Sequence, residues 1–213
     1  MSFIDTILSV LAPYDCLGCQ TEGRLLCGAC IDGLPLAPPK YLTDSSLTVV
    51  RSATIYETVA KDLIWKLKSS GAQSAAKIMA QRMKPLVPDS KSVFIVPVPT
   101  APSRVRQRGY DQAELIAHQL ARQTGQRLLK CLSRTSQIHQ VGSTSRQRHT
   151  QTTGVYNVIR PSRIKGTHVC LIDDVVTTGS TLQAAARVLE QAGASKIDAV
   201  VFAQARMRNL SIK

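Results

Sequence analysis

From about residue 48 the chain alternates between two kinds of apolar pattern. Short runs rich in β-branched residues fall at 47–50, 93–98, 128–132, 169–172 and 197–202. Between them, apolar side chains recur at helical spacing over 59–67, 75–83, 113–123 and 182–191. Strands separated by helices of this length predict an α/β domain, a mostly parallel sheet flanked by helices. Ligands of such sheets bind in the loops that follow the carboxyl ends of strands. Two helix starts are marked in detail. Asp111 can cap the helix that buries Ala113, Ile116, Ala117, Leu120 and Ala121, with Glu114 three residues on as in a capping box, and Gly125 ends it. Leu182, Ala185, Ala186 and Leu189 form the stripe of the last helix, which Gly193 stops.

The first forty residues read differently. Phe3, Ile4, Ile7, Leu8 and Leu11 fit a short amphipathic helix; Asp5 is present and no Lys or Arg precedes Arg24, so no basic leader region is seen. No apolar run approaches the roughly 18 residues of a membrane span. The expected protein is cytoplasmic and not inserted in a membrane. Cys16, Cys19, Cys27 and Cys30 form two CxxC pairs, spacing that suits tetrahedral Zn²⁺ held by four thiolates, a structural site with no open coordination position. Two disulfides or an iron–sulfur cluster are the competing uses. Gly18 and Gly28 would relax the two turns. Cys131 and Cys170 lie in apolar stretches and read as core. The proline-rich stretch after Cys30 predicts a boundary near residue 40, with a helix and zinc module over 1–40 and the α/β domain over 41–213.

Composition adds a direction to this picture. The 213 residues are 44% hydrophobic and 4% aromatic, which predicts a folded chain with an aliphatic core. The net charge is +13, and four thiolates with one divalent cation would lower it only to about +11. Between Glu114 and Asp173 there are nine Lys or Arg and no acid, which points to a phosphate-rich ligand or partner.

The stretch that carries chemistry follows the run at 169–172. Asp173 and Asp174 end the apolar strand, and Val176, Thr177, Thr178, Gly179, Ser180 and Thr181 lead into the last helix. Helix-start N–H groups favour a phosphate, Gly179 allows close approach, and the hydroxyls add donors. The two acids can accept hydrogen bonds from sugar hydroxyls or face a magnesium ion. Together these describe a site for a ribose 5-phosphate. A P-loop is excluded, because there is no Gly-Lys-Ser/Thr and the acids precede the glycine.

This run resembles the phosphoribosyl pyrophosphate (PRPP) motif of type I phosphoribosyltransferases. A second segment, VPVPTAPSRVRQRGYDQAE over 96–114, is similar to the ComF family, phosphoribosyltransferase-like proteins associated with bacterial DNA uptake that often begin with a four-cysteine zinc module. The resemblance extends over nearly the whole chain. It departs at Asp111, where the family usually has asparagine, and at Ser143 and Gln151 in the polar, basic loop 135–153. What it implies is Mg²⁺-dependent PRPP binding, with Lys68, Arg104, Arg108 and Arg148 joining the phosphate-loop residues. It also implies single-stranded DNA binding and partners among DNA-uptake or recombination proteins. No residue identifies an acceptor, so an active phosphoribosyltransferase with a nitrogen acceptor stands as the alternative. Tyr110 and Tyr156 are the only tyrosines in the basic half, so DNA contact is expected mainly through phosphates.

Overall fold

The computed structural model describes residues 14–42, 47, 49–69, 72–135 and 155–206; the expected amphipathic helix and most of loop 135–153 fall outside them. After a short helix α1 (Gly28–Asp32) come β1 (Lys40–Tyr41), β2 (Val49–Ile55), α2 (Thr58–Leu67) and α3 (Ala72–Met83). Then follow β3 (Val93–Pro97), α4 (Pro102–Arg108), α5 (Gln112–Thr124), β4 (Arg127–Leu128), β5 (Leu132–Arg134) and β6 (Tyr156–Val158). The chain continues through β7 (His168–Val176), α6 (Ser180–Gln191) and β8 (Lys196–Gln204). Among the described residues one six-stranded sheet has the order β1-β2-β8-β7-β3-β4, and β5 pairs with β6 apart from it. All neighbours in the large sheet are parallel except β1 against β2, so the sheet is mostly parallel, as the alternating pattern predicts.

Each face of the sheet carries its own core. Ile95, Cys170, Ile172, Val200 and Phe202 meet α2, α3 and α5 on one face, and Leu25, Leu26, Ile31 and Leu34 of the cysteine-bearing segment join the same cluster. Val96, Val169, Leu171, Ala199 and Val201 meet α6, Leu132 and Tyr156 on the other. Adjacent strand residues thus serve opposite faces, as the pleat requires. Cys131 and Cys170 are fully buried, and burial pushes the Cys131 thiol up to about 11, so both are core residues as read.

Two strands differ from their sequence pattern. β2 continues through Ile55, beyond the apolar run, because polar residues inside it find partners. Arg51 donates to Asp198 at 3.1 Å, and the Thr54 hydroxyl donates to the Pro35 carbonyl at 2.8 Å. The expected strand over 128–132 is divided between β4 and β5, which belong to different sheets. No helix among the described residues is long and apolar enough to cross a membrane.

Candidate functional site

β3 and β7 are neighbours, but their continuations diverge. β3 leads through α4 and α5, with α5 on the first core, while β7 leads into α6 on the second. The crevice outside the carboxyl ends of these two strands is therefore the topological switch point of the sheet, the place where α/β proteins bind ligands. Val98 extends the junction, donating its N–H to the Ile172 carbonyl at 3.0 Å.

Asp173 and Asp174 stand at this crevice. Asp174 is buried, and its Oδ2 lies 2.6 Å from the ammonium of Lys68 at the carboxyl end of α2. Asp173 is half-buried. Burial and then the Asp174 carboxylate push its carboxyl well above the ordinary carboxylate range, although the Asp174 N–H donates to its Oδ1 at 2.8 Å and offsets part of this. The strand then turns through the exposed Thr177 and Thr178 to Gly179, whose φ of +94° makes it the left-handed start of α6. A Cβ at Gly179 would come within 2.6 Å of Leu42, so the backbone here is approached from the β1 side as well. Ser180 and Thr181 are exposed, and the Thr178 and Ser180 hydroxyls are 3.0 Å apart. The first-turn N–H groups of α6 have no intrahelical acceptor, so this rim offers N–H and hydroxyl donors beside two acids and a lysine. Such a rim can hold a ligand that carries a phosphate and vicinal hydroxyls, or a divalent cation at the acids.

The other expected site residues are placed as follows. Val176 is buried in the second core with its carbonyl already accepting from Ala205, so its side chain is structural. Arg104 and Arg108 ride on α4, which starts beyond the carboxyl end of β3; Arg104 is exposed and Arg108 donates to Gln112 at 3.0 Å. Arg148 lies outside the described residues. The Tyr110 hydroxyl donates to the Leu67 carbonyl at 2.7 Å and approaches that of Ser69 at 3.2 Å, which fastens the α4–α5 turn to the end of α2 that bears Lys68. Tyr110 is therefore a brace at the site, a role that residue type alone did not signal.

Asp111 caps α5 and does more. Its carboxylate accepts from Ala113 and Glu114 N–H groups and from both the N–H and hydroxyl of Thr100. Four donors converge on an acceptor-only group, which accounts for aspartate where asparagine would turn an NH₂ toward one of them. Glu114 does not complete a capping box; its carboxylate pairs with Lys130 instead.

In the N-terminal segment the four sulfurs of Cys16, Cys19, Cys27 and Cys30 lie within 4.8 Å of one another. Cys19 and Cys27 sulfurs are 3.8 Å apart. That is too far for a disulfide, about 2.05 Å, and matches the roughly 3.8 Å edge of a tetrahedron with Zn–S bonds near 2.3 Å. Burial raises the Cys16 thiol, but N–H groups of Cys19, Cys27 and Gly18 outweigh it and bring it down to about 6. Cys30 is pushed up to about 12 by its hydrogen bonds to the Cys27 and Cys16 sulfurs. The cluster can hold a metal ion such as zinc. Gly18 is needed because a Cβ would meet the Cys30 sulfur at 2.6 Å; Gly28 has open space around it and plays no such part.

Residues 105–212, just over half of the chain, match the phosphoribosyl transferase domain. The chain is 29% identical over 189 residues to the DNA utilization protein YhgH of Salmonella typhi, covering 81% of this chain and 75% of that protein. It is 31% identical over 114 residues to competence protein F of Haemophilus influenzae, covering 52% of this chain and 50% of that one. With competence protein ComFC of Bacillus subtilis it shares 27% over 150 residues, covering 67% and 58%.

Proposed function

This chain belongs to the phosphoribosyl transferase domain family, in its ComF branch, and we propose that it binds Mg²⁺–PRPP at the end of β7 and serves in handling incoming single-stranded DNA. The observation that carries the ligand reading is the adjacent acid pair at the switch point, followed at once by a glycine-started helix and faced by Lys68. In this reading the α6 N–H groups and the hydroxyls of Thr177, Thr178, Ser180 and Thr181 take the 5-phosphate. Asp173 and Asp174 accept from the ribose hydroxyls and hold Mg²⁺ directly or through water. Lys68, Arg104, Arg108 and Arg148 meet the pyrophosphate. The magnesium ion supplies charge neutralisation for the phosphates; the protein's own groups bind and orient. Zinc at the four cysteines is structural.

The test is a melting assay with Asp173→Ala combined with Asp174→Ala. The parent protein is expected to be stabilised by Mg²⁺–PRPP, by about 2.7 kcal/mol at a hundredfold excess over Kd, and the double variant is not. Stabilisation retained in the double variant would sink the site. Turnover is a separate reading, displacement of pyrophosphate from the ribose C1 by a nitrogen nucleophile. If pyrophosphate release stays at background with nucleobases, amines and DNA, PRPP acts as a ligand rather than a substrate.

The DNA reading is supported by the names of the relatives, proteins of competence and DNA utilisation, and by a basic excess larger than one PRPP requires. It predicts affinity for single-stranded DNA that declines steeply as salt rises.

A further inference from the structure

Of the two tyrosines in the basic half, Tyr156 is buried and Tyr110 is committed through its hydroxyl to the end of α2. The exposed aromatics lie instead in the other half of the chain. Trp65 is 63% and Tyr41 76% exposed. Trp65 stands in the last turn of α2, whose opposite side packs Ala60, Leu63, Ile64 and Leu67 into the core, so the indole contributes little to the fold. Its surroundings are charged rather than apolar. Lys61 and Asp62 precede it by four and three residues on the same helix face, with the Lys61 ammonium 5.7 Å from the Tyr56 centroid, while Lys68 beyond the last turn is held by Asp174. The Lys66 ammonium lies 5.4 Å from the indole centroid. Asp62 is the acid on this exposed side of α2, against Lys61 and Lys66, since Lys68 is turned to Asp174. The Tyr110 brace also brings α4, with its exposed Arg104 and Arg106, up to the same end of α2.

An exposed indole beside the Lys66 ammonium, with Lys61 one turn before it, is poorly matched to an apolar protein partner. It is well matched to an unpaired base whose neighbouring phosphates need cations. A duplex hides the faces of its bases and could use only the lysines. Resting on the single-stranded DNA reading above, we infer that Trp65 is the stacking platform for an unpaired base, with Lys61 and Lys66 on the flanking phosphates, at the rim of the Lys68 end of the site.

Trp65 is the only tryptophan of the chain, so its emission reports this position directly. The experiment titrates the full-length protein with a fluorescein-labelled oligothymidylate at low salt. Anisotropy of the label measures binding, and Trp65 emission is followed in parallel with an unlabelled oligonucleotide of the same length. The expected result is quenching that saturates with the anisotropy signal and is reversed by salt. Trp65→Ala should weaken binding by about fivefold or more, Trp65→Phe should weaken it less, and the Mg²⁺–PRPP melting shift should be the same in both variants as in the parent. Binding by anisotropy with unchanged Trp65 emission and an unaffected Trp65→Ala variant would overturn the platform and leave the DNA reading standing. Absence of any binding at low salt would remove the DNA reading and the platform with it. Emission that responds to protein concentration and not to DNA would mark a self-association face and also overturn the platform.

Discussion

Gly179 shows how much a single position can hold at this site. Its φ of +94° starts α6, and Leu42 occupies the space a Cβ would need. Leu42 can swing aside, but the backbone conformation cannot be relieved. Gly179→Ala is therefore expected to cost about 1–2 kcal/mol, seen as a lower midpoint in urea unfolding, and to abolish the Mg²⁺–PRPP melting shift by displacing the phosphate loop. The sequence shows why a glycine belongs here, since it precedes a helix after two acids, but not that Leu42 would be the neighbour, because that contact joins residues far apart in the chain. Asp111 is similar: its capping role is readable from the apolar stripe after it, although Glu114 pairs with Lys130 and closes no capping box. The two bonds from Thr100, which explain the acid, come from tertiary folding.

The cysteine-bearing segment is the element whose chemistry was most legible, because ligand spacing within each CxxC is local. Its attachment was not. Leu25, Leu26, Ile31 and Leu34 enter the same core as α3, and Arg82 of α3 donates to the Leu34 carbonyl at 3.0 Å. A metal lost from the cysteines should therefore loosen packing well beyond the segment itself. Cys16→Ser is expected to lower bound zinc, counted by mass spectrometry under native conditions, and to lower the melting temperature; chelator added to the parent protein should reproduce the shift. Unchanged metal stoichiometry in Cys16→Ser would refute the ligand assignment. Among the strands, β3, β7 and β8 were legible because apolar residues buried on both faces form continuous runs. β2 was read short because Arg51, Ser52 and Thr54 interrupt its run, and only the fold supplies their partners.

The two ends of the molecule's sheet carry opposite electrostatic arrangements. At the amino end one carboxylate, Asp198, pairs with Arg51 at 3.1 Å and Lys196 at 3.8 Å and is hydrogen-bonded to the His168 ring at 2.6 Å. Burial raises this carboxyl, but the His168 and Arg51 hydrogen bonds and the Lys196 charge outweigh it and hold it below its ordinary range. A carboxyl lowered by folding gives stability that is complete above its unfolded value, near 3.9, and is lost as pH falls through the folded value. Asp198→Asn should thus be less stable at neutral pH, and its melting temperature should fall less steeply than the parent's on acidification below about pH 4. At the carboxyl end the numbers reverse: Asp173 and Asp174 crowd together, and Lys68 is the cation in contact. That lysine pairs with Asp174 in the structure, so under the proposed function the arrival of Mg²⁺–PRPP would be an exchange of partners. The pyrophosphate would draw the ammonium away, and the metal or the ribose would take its place at the carboxylate. Magnesium alone would offer nothing to receive the displaced lysine, so the proposed function predicts a smaller melting shift with Mg²⁺ alone than with the Mg²⁺–PRPP complex.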